Sequence, residues 1–171
     1  RQDFALGGEG LDPALPGGVN NTLLKEGQSV MVDLGGNFNG YMGDMSRVFS
    51  IGKLNEKAYT AHQVCLDIQN EVASLAKPGT VCEDLYNTAI DMVTKAGFAE
   101  YFMGISQQAR FIGHGIGLEI NEMPVLAPRM KQELEPGMVF ALEPKIVLPG
   151  IGPVGIENSW VVTSEGVEKL T

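Results

Sequence analysis

Two segments of this chain run from an apolar strand straight into a carboxylate, and both do so in the same way. Leu24-Lys25-Glu26-Gly27 is followed, six residues after its glycine, by Asp33 at the end of Val30-Met31-Val32. Leu134-Glu135-Pro136-Gly137 is followed, six residues after its glycine, by Glu143 at the end of Phe140-Ala141-Leu142. Each acid has a second one in the next candidate strand, Asp44 after 11 residues and Glu157 after 14. The recurrence of turn, strand and acid reads as an internal duplication of a strand–turn–strand unit. A carboxylate buried without a partner costs several kcal/mol, so acids placed this way demand cations. The nearby basic residues are few, Arg47 beside Asp44 and Lys145 beside Glu143. An Asp44–Arg47 ion pair accounts for part of the charge and leaves the rest unexplained.

The chain has two histidines. His62 falls on a candidate helix between Thr60 and Gln63 and reads as a surface or half-buried helix residue. His114 stands in Phe111-Ile112-Gly113-His114-Gly115-Ile116-Gly117, where glycines on both sides let the backbone approach something closely. Asp33, Asp44, Glu143, Glu157 and His114 together form an oxygen-rich set with a single nitrogen, suited to manganese, cobalt, iron or zinc. Four acids suffice to bridge two divalent ions, and a water between them would become a nucleophile near neutral pH. Serine-nucleophile and phosphate-loop chemistry are disfavoured, because neither GxSxG nor GxxxxGK[ST] occurs.

The remaining sequence predicts an α+β chain. Residues 1–22, rich in Gly, Pro and Asn, read as a strand remnant followed by loop. Strands are expected at Ser29–Leu34, Arg47–Ile51, Met138–Leu142, Ile156–Thr163 and Val167–Leu170, with Asn37–Gly43 as a hairpin connection. Asn55 caps a helix over 56–76, whose apolar face is Ala58, Ala61, Cys65, Ile68, Val72 and Leu75. Thr80-Val81-Cys82-Glu83 reads as a capping box opening a second helix through about Ala96, with Leu85, Ala89, Met92 and Ala96 inward. The 22 glycines are too many for a helical bundle. A length of 171 residues suits one domain, 1–171, with its own core. A net charge of −9 argues against nucleic acid and anionic membranes as partners, and no apolar run reaches membrane-span length. Cys65 and Cys82 lack CxxC spacing and read as free thiols, in keeping with a cytoplasmic location.

Four stretches, taken in order and spacing, resemble one superfamily. They are Asp33-Leu34-Gly35 with Asp44-Met45-Ser46-Arg47, Gly113 to Leu118, Glu135 to Phe140 with Glu143-Pro144, and Gly155-Ile156-Glu157-Asn158. From about Phe4 to Thr171 the chain resembles the pita-bread metallopeptidases (methionine aminopeptidase, aminopeptidase P, prolidase and creatinase), nearest to the prolidase and aminopeptidase P branch. The resemblance implies a pseudo-twofold curved antiparallel sheet with helices on its outer face. It implies that Asp33 chelates one metal, that Asp44 and Glu157 bridge two, and that His114 and Glu143 bind the second, with Glu143 as general base for the bridging water. It further implies a short peptide or small amide substrate, a homodimer, and helices or a further domain ahead of residue 1. Three positions depart from the pattern: Gly17 and Asn121 stand where relatives carry histidines that bind the scissile amide, and Gly155 where many prolidase-like members have arginine. The expectation is a metal-dependent aminopeptidase or Xaa-Pro dipeptidase; the alternatives are a creatinase-like C–N hydrolase and a metal-binding protein with little peptidase activity.

Overall fold

The computed structural model describes residues 23–105 and 107–171; the expected strand and loop over 1–22, Gly17 among them, lie outside the described residues. The first pair of strands, β1 (Ser29–Phe38) and β2 (Tyr41–Ser50), forms an antiparallel hairpin. Its turn is tighter than expected. Asn39 and Gly40 both adopt positive φ, 52° and 88°, which is the backbone a two-residue hairpin turn needs. The ladder therefore continues to Phe38↔Tyr41, and Asn37–Gly43 belongs largely to strand.

Two helices follow, α1 (Glu56–Leu75) and α2 (Cys82–Lys95). Asn55 Oδ1 accepts from the Ala58 N–H and starts α1 as expected. Ala58, Ala61, Cys65, Ile68 and Val72 are buried, while Leu75 is exposed. The start of α2 differs from the expected capping box. The Thr80 hydroxyl turns back to Leu75 O, and the first N–H groups of α2 go elsewhere: Cys82 donates to Gln132 O and Glu83 to Met130 O. A neighbouring segment satisfies the helix end, so no side-chain cap is needed. On α2, Val93 is buried while Ala96 is exposed.

The second half supplies seven strands: β3 (Gly113–Gly115), β4 (Glu122–Leu126), β5 (Val139–Leu142), β6 (Lys145–Leu148), β7 (Gly152–Gly155), β8 (Asn158–Val162) and β9 (Val167–Lys169). An antiparallel sheet runs β4-β3-β5-β8-β9, while β6 pairs with β7. The expected return strand after the 163–166 turn is present as β9. Helix α1 packs on β6 and β7, and α2 on β4 and α1. The core between them holds Ile68, Leu85, Phe140, Leu142, Ile146 and Leu148, each fully or almost fully buried. Cys65 and Cys82 are free and buried.

The duplication is visible in hydrogen bonds. Gly27 N donates to Ile51 O (2.8 Å) and Ile51 N to Gln28 O (2.9 Å); Gly137 N donates to Val162 O (2.8 Å) and Val162 N to Met138 O (2.8 Å). Both glycines need the left-handed region, at φ 83° and 89°. The second hairpin is β5 and β6 against β8 and β7. Its register, Leu142↔Asn158 and then Lys145↔Gly155, is one continuous ladder interrupted at Glu143-Pro144 and Ile156-Glu157. Matching the two ladders pair by pair makes Ser46, not Asp44, the counterpart of Glu157. It also makes Gly35 the counterpart of Lys145, and Asp44 that of Gly155.

Candidate metal centre

The break in the second ladder creates the site. Pro144 has no N–H to give a ladder, and where pairing lapses Glu143 and Glu157 turn inward. Both are buried, with 5% and 1% of their surface exposed. Asp44 comes from β2, and its strand is tied to β8 by the Ser159 hydroxyl donating to Asp44 O (2.9 Å). Ser46 and Glu157 meet across the join of the two halves, the serine hydroxyl donating to Glu157 Oε2 (2.5 Å). Arg47 reaches across the same join to Glu157 O (2.7 Å) and Asn158 Oδ1 (2.8 Å). It does not pair with Asp44, because residues three apart on a strand face opposite sides of the sheet. The buried Gln69 of α1 completes this frame, donating to Leu142 O (2.9 Å) and accepting from Asn158 Nδ2 (2.7 Å).

His114 sits on β3 between two strands that press against it. A Cβ on Gly113 would stand 2.4 Å from Ala141 O, and one on Gly115 2.3 Å from Met123 O. The close approach expected of these glycines is therefore to neighbouring backbone. The His114 Nδ1–H donates to Gly115 O (3.1 Å), which turns Nε2 into the site. There Nε2 lies 3.3 Å from Glu143 Oε1 and 3.7 Å from Asp44 Oδ2. Asp44, His114 and Glu157 each offer a ligand atom within 4.8 Å of the others, all three buried. Asp33 stands apart on the rim, its side chain 57% exposed. Four of the five residues expected as ligands thus lie together as a buried cluster, and the fifth stands at its exposed edge.

Lys145 occupies the middle of the acids. Its Nζ lies 2.6 Å from Glu143 Oε2, 3.0 Å from Glu157 Oε2 and 3.8 Å from Asp33 Oδ2, and its side chain is 2% exposed. The sequence places Lys145 beside Glu143, and i, i+2 spacing on a strand puts both on one face. Its reach to Glu157 and Asp33 depends on the fold. Gly155, its ladder partner, has no room for a side chain: a Cβ there would stand 2.5 Å from Pro144 O and 2.9 Å from Lys145 Cα.

Burial opposes every charge here, and the neighbours decide the outcome. Burial and then the charge of Asp33 push Asp44 up to about 6. Burial and then the charge of Glu143 push Glu157 up to about 7. For Glu143 burial also acts upward, but Lys145 and His114 outweigh it and hold the carboxyl below its ordinary value. Burial works against protonation of His114 and Lys145, yet hydrogen bonding and charge from Glu143 on the imidazole, and the charges of Glu143 and Glu157 on the ammonium, raise both. Beside His114 opens a cavity of about 300 Å³ lined by Phe111, Asn121, Glu122, Met123 and Val125. His62, half-buried on α1, is not one of its lining residues.

Known proteins share this arrangement of chain. An Xaa-Pro dipeptidase from Pyrococcus furiosus is 34% identical over 159 residues, covering 92% of this chain and 44% of the relative. One from Lactobacillus helveticus is 36% identical over 154 residues, covering 90% and 40%. The solved Xaa-Pro dipeptidase from Bacillus anthracis superposes with a TM-score of 0.79 at 38% identity, covering 91% of this chain and 42% of that one. The chain therefore spans less than half the length of the relatives it matches, and its architecture is their pita-bread fold. The profile of metallopeptidase family M24 matches residues 6–164, and the chain belongs to that family.

Proposed function

We propose that this chain is the metal-holding catalytic part of a hydrolase acting on short peptides, of the Xaa-Pro dipeptidase type. The observation that carries this reading is the buried group of Asp44, His114 and Glu157, with Glu143 directly against the imidazole. Its oxygen and nitrogen donors fit one divalent ion of the manganese, cobalt, zinc or iron kind. Bound there, such an ion supplies Lewis-acid polarisation and an activated water. The residues do the rest. His114 presents Nε2 because its Nδ1 is committed to Gly115 O. Glu143 stays ionised and stands ready to take a proton. Phe111, Met123 and Val125 offer an apolar bed for a side chain, and Asn121 puts an amide at its rim.

Asn121 also favours a second reading, a C–N hydrolase acting on a small amide or amidine, since an amide side chain cannot relay a proton as histidine does. Hydrolysis of Xaa-Pro dipeptides by the metal-loaded protein, lost in Glu143→Ala, supports the peptidase. Turnover of non-peptide amides alone supports the alternative, and failure to bind any of the four metals overturns both. A homodimer is part of the same reading, supported by the exposed Leu34, Phe38, Tyr41 and Phe49 of the first hairpin. Two buried free thiols suit a reducing cytoplasm. Among the described residues no helix is long and apolar enough to cross a membrane.

A further inference from the structure

We infer that Lys145 is a built-in cation standing in for one of the two metal ions, so that this site takes a single divalent ion. The inference rests on the proposal that the pocket binds metal, and three observations carry it. The first is where the ammonium sits. It is in contact with Glu143, Glu157 and Asp33, while Asp44, His114 and Glu157 each offer a ligand atom within 4.8 Å of the others. Glu143 divides its two oxygens accordingly: Oε2 accepts from Lys145, and Oε1 lies 3.3 Å from His114 Nε2.

The second is that the ammonium has little freedom to leave. The Lys145 backbone is pinned from both sides by Met103, whose N–H donates to Lys145 O (2.8 Å) and whose sulfur accepts from Lys145 N (3.4 Å). The stem fills the space over Gly155, with Lys145 Cγ 3.1 Å from where a Cβ on that glycine would stand. Lysine at 145 and glycine at 155 are thus one steric unit across the β6–β7 ladder. The third is the state of Asp33. Asp33, the expected ligand of the first ion, is more than half exposed, and its carboxylate lies 3.8 Å from the Lys145 ammonium. An ion shared by Asp33 and Glu157 would have to take the volume that Lys145 Nζ now fills, and like charges at that distance repel strongly in a buried pocket.

The test is metal stoichiometry on the full-length protein, freed of metal by chelator and titrated with Mn²⁺ or Co²⁺ by calorimetry with elemental analysis. One equivalent in the wild type and two in Lys145→Met are expected, since methionine keeps the stem over Gly155 and removes the charge. Electron paramagnetic resonance of the Mn²⁺-saturated wild type gives a check that needs no variant. An isolated six-line signal supports the inference, and an exchange-coupled pair overturns it. Two equivalents in the wild type overturn the inference and leave the metal pocket standing. No bound ion overturns both. One equivalent in a folded Lys145→Met overturns the assignment of the missing charge to Lys145.

Discussion

The two hairpins of this molecule share a plan and differ in how far they are buried. Each starts at a Leu-x-x-Gly turn, and each closes on the same reciprocal hydrogen bonds. The first keeps an unbroken ladder of ten pairs and leaves Val32, Leu34, Phe38, Tyr41 and Phe49 exposed. The second is broken at Glu143-Pro144 and Ile156-Glu157, and Phe140, Leu142, Ile146 and Val154 are buried almost completely. The break is what lets two acids leave the alternation of the sheet and face inward together. The unbroken copy holds Asp33 on its rim and contributes Asp44 from a position whose counterpart in the other copy is Gly155. Duplication supplied two similar frames, and the loss of pairing in one of them made the pocket.

If the broken hairpin carries the chemistry, substitutions there should outweigh those on the rim. Glu143→Gln is expected to lower hydrolysis of an Xaa-Pro dipeptide by about 10²–10⁴-fold, the usual weight of a general base. Asp33→Asn should cost well under that, because Asp33 stands on the rim with its side chain 57% exposed. Steady-state kinetics on the two variants decide it; equal losses would erase the functional distinction between the hairpins.

The next effect is on stability without metal. Lys145→Met removes the cation from Glu143 and Glu157 and leaves both buried, which is expected to cost about 3–5 kcal/mol. Asp33→Asn, with one exposed partner, should change stability by about 1 kcal/mol or less. Urea unfolding in the presence of chelator measures both. A Lys145→Met protein as stable as wild type would mean that the acids neutralise themselves by taking up protons.

Packing gives a smaller contrast. Gly155→Ala forces a Cβ against Pro144 O and the Lys145 stem and is expected to cost about 1–3 kcal/mol. Gly36→Ala in the first hairpin meets nothing within 4 Å, so it should be neutral or slightly stabilising, by about 0.5 kcal/mol. Thermal melts of the two variants rank the hairpins by tightness, and a destabilised Gly36→Ala would show the first to be as constrained as the second.

Much of this was legible in the residues. Strand-end acids, matching offsets and a glycine-flanked histidine predict the cluster, because each expresses a local cost, either of burying charge or of bringing backbones together. The pairing of Lys145 with Glu157 and Asp33 was not legible, since those partners lie 12 and 112 residues away in sequence and meet only when the broken ladder folds inward. The order of the acids along the sequence also suggests Asp44 as the counterpart of Glu157, whereas the register gives Ser46. Sequence spacing counts residues, but a loop of different length between the strands shifts which residues face each other. The start of α2 was misread for a related reason: a capping box is a local pattern, and the carbonyls of Met130 and Gln132 that replaced it are distant.

The smallest expected effect is a slope with pH in the metal-free protein, and its sign follows from the directions of the shifts. Glu157 is held at about 7 and Asp44 at about 6, both above the ordinary carboxylate values of 4.5 and 3.8. The folded state therefore binds these protons more tightly than the unfolded chain does. That stabilisation is complete below about pH 4 and is lost as pH rises through 6 and 7. His114, also raised, acts in the same direction. His62 opposes it, because burial lowers its pKa and its contribution is lost as pH falls. The pocket has three groups against this one, so the chelated protein is expected to weaken from pH 5 to pH 8, by about 1 kcal/mol per pH unit at the steepest point. Glu157→Gln should flatten the slope by removing the more strongly raised of the two carboxylates. Urea midpoints at several pH values, with chelator and then with saturating Mn²⁺, provide the measurement. With metal the slope should reverse, because the ligands must be deprotonated to bind and the bound ion stabilises the folded state more as pH rises. A slope that is the same with and without metal would place the titrating groups outside the Asp44, His114 and Glu157 cluster and remove the physical basis for treating its acids as ligands.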